Sequence, residues 1–161
     1  MKYTVSSLSA LVILRITTGW HFLYEGLVKV TDPSWSSRSY LMDSGGFLKG
    51  FFEWVAENNT ALTIADSLNA WGLTLIGIAL VAGIFTRYAA YAGIVLLGLY
   101  YLSHPAFPGI TYLFPVDGSY FIINKTLIEL AAMWVIISFP TSDIIGLERL
   151  FKKNAIKSIG K

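Results

Sequence analysis

The chain has 161 residues, 55% of them apolar, 15% aromatic and only 14% charged, with a mean hydropathy of +0.60. An ordinary soluble domain is about a quarter charged, so this composition argues against a water-soluble globule. The net charge of +2 is concentrated near the C-terminus, which gives nucleic acid no basic surface, and the lack of cysteine excludes disulfide exchange, Cys-ligated zinc, iron–sulfur clusters and a thiolate nucleophile.

The apolar residues gather into four blocks, and a helix crossing about 30 Å of hydrocarbon needs roughly 20 residues. The fold class read from this is an all-α membrane protein, a four-transmembrane-helix bundle with short amphipathic interfacial helices, forming a single domain over 1–161. The first span covers residues 8–30. Arg15, His21 and Glu25 interrupt its apolar run and no small-x-small cleavage site follows, so it reads as a permanent helix rather than a signal peptide.

The outer loop, 31–67, mixes Phe47, Leu48, Phe51, Phe52, Trp54 and Val55 with Lys49, Glu53 and Glu57, which predicts a short helix lying aromatic side down at the interface. The second and third spans, 68–86 and 88–104, make a hairpin through Phe85-Thr86-Arg87-Tyr88, and Pro105 stops the third. Ala79/Gly83 and Ala89/Gly93 are small-xxx-small pairs on these two spans. The fourth span, 121–139, ends at Pro140. Beyond it Ile144, Leu147 and Phe151 alternate with Arg149, Lys152 and Lys153, predicting a cytoplasmic amphipathic tail over 141–161 on the anionic leaflet.

Basic residues outside the spans fall unevenly. Lys2, Arg87, Arg149, Lys152, Lys153, Lys157 and Lys161 share one side, and only Arg38 and Lys49 lie on the other. The positive-inside rule then makes both termini cytoplasmic, so 31–67 and 103–120 face outward from a bacterial inner membrane.

Ionisable residues inside a span are costly, and they mark pairing or function. The first span carries Arg15, His21, Glu25 and Lys29; the fourth carries Lys125 and Glu129, preceded by Asn124. At about 100° per residue the first set forms one polar stripe within roughly 120°, and Lys125 and Glu129 form another. The two helices run in opposite directions, so Glu25 and Lys29 share the outer half of the membrane with Lys125 and Glu129. Arg15 lies deeper, about 15 Å from Glu25 at 1.5 Å per residue, and needs a partner of its own.

Polar pairs can act as glue between helices that gain little from apolar contact in lipid. The functional alternative is a polar pocket opening outward. In it, Lys29 or Lys125 binds an anion or carbonyl oxygen, and Glu25 or Glu129 passes a proton, with His21, one turn before Glu25, as a relay. Tyr100, Tyr101 and His104, at the outer end of span three, are candidates for its rim. His21 and His104 differ in depth, and no metal or haem is expected.

The stretch Arg15 to Lys29, RITTGWHFLYEGLVK, and the stretch Trp71 to Tyr91, WGLTLIGIALVAGIFTRYAAY, resemble the DoxX family of small four-helix membrane proteins. Arg15, Gly19, Phe22, Gly26 and Lys29 match the family's first-helix pattern. Gly83, Thr86 and Arg87 match the end of its second, and Asn124, Lys125, Glu129 and Leu130 its closing motif. The insertion Gly46-Phe47-Leu48-Lys49-Gly50-Phe51-Phe52 is most similar to the DoxD branch, the membrane subunit of thiosulfate:quinone oxidoreductase.

That resemblance implies an integral membrane subunit of a quinone-linked oxidoreductase, with quinone as cofactor, lipids around it and a second protein subunit on the periplasmic side. The candidate catalytic residues are Glu25, His21 and Lys29; the candidate ligand-binding residues are Arg15, Asn124, Lys125, Glu129, Tyr100, Tyr101 and His104. The alternative is a non-catalytic membrane anchor or assembly partner of an envelope complex. A transporter fits less well, since neither an inverted repeat nor paired broken spans are visible.

Overall fold

The computed structural model describes residues 3–113 and 121–151, which are helical or irregular, with no strand among them. The first helix, α1, runs Val5–Thr31; Thr4 caps it by accepting from the Ser7 N–H at 3.2 Å, and Asp32-Pro33 ends it. Two short helices follow, α2 at Arg38–Met42 and α3 at Lys49–Glu57.

The next helix, α4, spans Asn59–Ala82. It therefore starts well inside the stretch read from sequence as outer loop. The cause is local: the Asn58 side chain accepts from the Ala61 N–H at 3.0 Å, and no Gly or Pro interrupts the following turns before Gly72. Gly83, left-handed at φ 68°, closes the helix.

The hairpin partner α5 spans Thr86–Ser103. The last long helix, α6, spans Lys125–Ser138; it begins later than expected because the Asn124 side chain caps the Leu127 N–H at 3.1 Å. In the tail, 142–147 is turn and bend and helix resumes at 148. The expected amphipathic helix beyond 151, with Lys152 and Lys153, lies outside the described residues.

The four long helices contact one another in a ring, α1 on α4, α4 on α5, α5 on α6 and α6 on α1. Phe22, Leu73, Leu80, Leu97 and Met133 fill the centre. The closest approach is between α1 and α4. A Cβ on Gly77 would collide with the Leu23 backbone, and one on Gly26 with the backbone and hydroxyl of Thr74, so glycine is required at both for this packing. The small residues that admit close contact here are therefore not the expected Ala79/Gly83 pair, since Gly83 ends its helix.

At one end, α2 and α3 fold back over α4 around Leu41, Phe52, Ala56 and Leu62. Asp66 of α4 fastens the preceding strap by accepting from the Ser36 hydroxyl and from both the N–H and hydroxyl of Ser37.

At the opposite end, Arg15 is buried and donates through Nη1 to the Thr141 hydroxyl at 2.9 Å, with Glu148 close enough to act on it electrostatically. The N–H groups of Leu147 and Glu148 cap the Ala82 and Gly83 carbonyls at 3.1 and 3.0 Å. Arg15 thus obtains its partner from the chain after α6.

Large apolar side chains, among them Ile13, Trp20, Leu68, Leu75, Val95 and Trp134, are exposed along the outer faces of the long helices. One helix among the described residues, α4, is long and apolar enough to cross a membrane by length and composition. Charges interrupt α1, Arg87 and the tyrosines dilute α5, and α6 has only 14 residues.

Candidate functional site

A cavity of about 760 Å³ opens between α1, α4, α5 and α6 at the end covered by α2 and the strap. Its wall has a simple origin. His21, Glu25 and Lys29 follow one another at one-turn spacing on α1, so a single helix face presents all three. Asn124, Lys125 and Glu129 come from the first turns of α6, and Asn69, Leu73, Leu97 and Tyr100 from α4 and α5.

The charged side chains pair within each helix as well as between the two. Lys29 Nζ lies 3.2 Å from Glu25 Oε2 within α1. Glu129 Oε1 lies 3.1 Å from His21 Nε2 and 4.0 Å from Lys125 Nζ, so His21–Glu129 joins the two stripes. Lys29 also sits 5.6 Å from the centroid of the Trp35 ring, a half-buried side chain of the strap that helps close the mouth.

Deeper in the wall two buried polar atoms, the Tyr100 hydroxyl and Asn69 Oδ1, make no hydrogen bond within the protein. Tyr100 and Asn69 are neighbours, but their polar atoms do not reach hydrogen-bonding geometry. Buried polar groups are almost always satisfied, so unsatisfied ones lining a cavity are ready partners for a ligand or water. Tyr40 of α2 stacks on the His104 ring, 3.9 Å between centroids, and burial pushes its phenol up to about 12, which keeps it a neutral donor.

Of the residues singled out from sequence, the fold brings His21, Glu25, Lys29, Tyr100, His104, Asn124, Lys125 and Glu129 to this cavity. Two lie elsewhere. Arg15 is in the junction at the other end, and the Tyr101 hydroxyl turns away to donate to the Ile122 carbonyl at 3.0 Å. Asn69, Trp35 and Tyr40 were not anticipated. Asn69 had a signal, as a polar residue in an apolar helix one turn after Asp66; Trp35 and Tyr40 had none, because a strap's path over a cavity is not periodic.

Among the described residues no group of three or more His, Asp or Glu side chains is arranged to hold a metal. Comparison with known proteins gives one family: the DoxX profile matches residues 10–105, which includes α1 to α5 apart from the first turn of α1. No curated protein and no solved structure matches the chain.

Proposed function

This chain belongs to the DoxX family, a family of membrane proteins, and from that premise we propose that it is the integral membrane subunit of a quinone-linked oxidoreductase, of thiosulfate:quinone oxidoreductase type, whose quinone headgroup enters the 760 Å³ cavity. The observation that carries this reading is the combination of a cavity lined by ionisable, aromatic and aliphatic side chains with unsatisfied buried polar atoms and a His21–Glu129 contact of 3.1 Å. Carbonyl oxygens need donors, and reduction to quinol takes up protons, so a site of this kind needs both.

In this reading Tyr100 donates to a carbonyl, Lys29 steadies the developing negative charge, and His21 with Glu129 and Glu25 supplies protons. Quinone, when bound, supplies the redox chemistry. Exposed apolar faces on α1, α4, α5 and α6 favour four spans in a bacterial inner membrane, with both termini cytoplasmic by the distribution of basic residues. A redox partner subunit docks on the side of α2 and α3.

Extraction of the detergent-purified protein with organic solvent is expected to release quinone, and the emptied protein is expected to bind menadione. A preparation that carries no quinone and binds no menadione sinks this function. A second reading then gains: Phe47, Phe51 and Trp54 are exposed on and beside α3, an aromatic surface suited to an anchor or assembly partner in an envelope complex.

A further inference from the structure

His104 follows α5, is 6% exposed and lines the large cavity. Its Nδ1 lies 2.9 Å from Ser103 Oγ and its Nε2 lies 3.8 Å from Asp43 Oδ2. Asp43, just after α2, opens instead onto a second cavity of about 310 Å³, shared with Ser44, Lys49, Thr111 and Tyr112. The Asp43–His104 pair thus crosses the wall between the two cavities.

The arrangement is held from several sides. Tyr40 stacks on one face of the imidazole, Tyr112 lies tilted against it at 4.6 Å between centroids, and the Leu113 N–H donates to both Asp43 oxygens at 3.0 and 2.9 Å. Both side chains are under a tenth exposed. A buried carboxylate and imidazole are a costly way to join two loops, since apolar residues of similar size do so as well or better. Imidazole, however, can accept a proton on one nitrogen while releasing one from the other near neutral pH.

We propose that Tyr40, Ser103, His104 and Asp43 form a proton relay between the large cavity and the small one, resting on the reading of the large cavity as a site of proton-coupled chemistry. A proton leaving a group in the large cavity reaches the Tyr40 hydroxyl, which lies beside Ser103. The Ser103 hydroxyl passes its proton to His104 Nδ1 and takes one from Tyr40; the His104–Asp43 pair closes from 3.8 Å to hydrogen-bonding distance, His104 Nε2 gives its proton to Asp43, and Asp43 releases it to water in the small cavity. One proton enters, one leaves, and no electron moves. Run backwards, the path delivers a proton to the large cavity. The other charged group of the small cavity is Lys49, 3.6 Å from Glu53, which assists release from Asp43 by electrostatic repulsion.

The test has an arm independent of quinone. The chain holds two histidines, so ¹⁵N-histidine spectra in micelles, assigned with His21→Asn, follow the His104 ring proton directly. Asp43→Asn keeps an oxygen for the Leu113 N–H but cannot take a proton. It is expected to slow solvent exchange at His104 by about tenfold or more, with Glu57→Gln at the wild-type rate. An unchanged exchange rate in Asp43→Asn overturns the relay.

If Asp43→Asn does not fold, Ser103→Ala, which removes the hydroxyl at Nδ1, serves as the second variant with the same expectation and the same overturning result. With menadione bound, the variant is expected to bind as wild type does but to be reduced electrochemically about tenfold more slowly. Equal reduction rates overturn the relay and leave the quinone reading standing. Failure of wild type to bind menadione removes the quinone reading, and the exchange rate still decides the relay.

Discussion

His21 Nε2 lies 3.1 Å from Glu129 Oε1, and this contact ties the polar stripe of α1 to that of α6. The two side chains are 36% and 19% exposed, so the bond is neither a surface ion pair nor a fully buried one. A double-mutant cycle with His21→Asn and Glu129→Gln, read by denaturant unfolding in detergent, is expected to give a coupling on the order of 1 kcal/mol. No measurable coupling means the two helices are held together without it.

Glu25 behaves differently. Its side chain is 47% exposed and its partner Lys29 is on the same helix. Glu25→Gln is therefore expected to cost only about 0.3–0.5 kcal/mol of stability, less than Glu129→Gln, while turnover of a bound quinone falls. A loss of stability equal to that of Glu129→Gln contradicts the assignment.

Helix approach gives a steric prediction. Gly77 is packed against the Leu23 backbone, whereas a Cβ on Gly72 meets nothing within 4 Å. Gly77→Ala should destabilise the protein by about 1–3 kcal/mol, and Gly72→Ala should be neutral or slightly stabilising. Melting curves of the two variants in one detergent decide it.

The strap over the cavity depends on one carboxylate. Asp66→Ala removes the acceptor for Ser36 and Ser37, so protease cleavage within residues 32–37 should quicken with little change in the melting of the long helices. Unaltered cleavage shows that the Trp35 region is held by its other contacts.

The proposed topology is open to labelling because the chain has no cysteine. Ser39, exposed in α2, becomes a reporter as Ser39→Cys. A membrane-impermeant maleimide should reach it from the periplasmic side only. Labelling from the cytoplasmic side alone inverts the orientation.

Much of the fold could be read locally. Apolar length marks the long helices, but not where α4 and α6 begin: the sequence reading puts Asn58 inside the outer loop and Asn124 inside the fourth span, and only the structure shows that each accepts a hydrogen bond from the helix it precedes. The spacing of His21, Glu25 and Lys29 put them on one face before any neighbour was known, because one-turn spacing is a property of the helix itself.

Tertiary structure alone decided what that face meets. His21 rather than Glu25 bonds across to Glu129, Arg15 is taken by Thr141, Tyr101 turns to Ile122, and Asp43 comes to His104 from a different helix end. Those outcomes depend on the rotation and separation of whole helices, which contacts such as Gly77 on Leu23 and Gly26 on Thr74 fix at a distance in the chain. Sequence spacing reports which side chains share a face; only the packed backbone sets which faces close into one cavity.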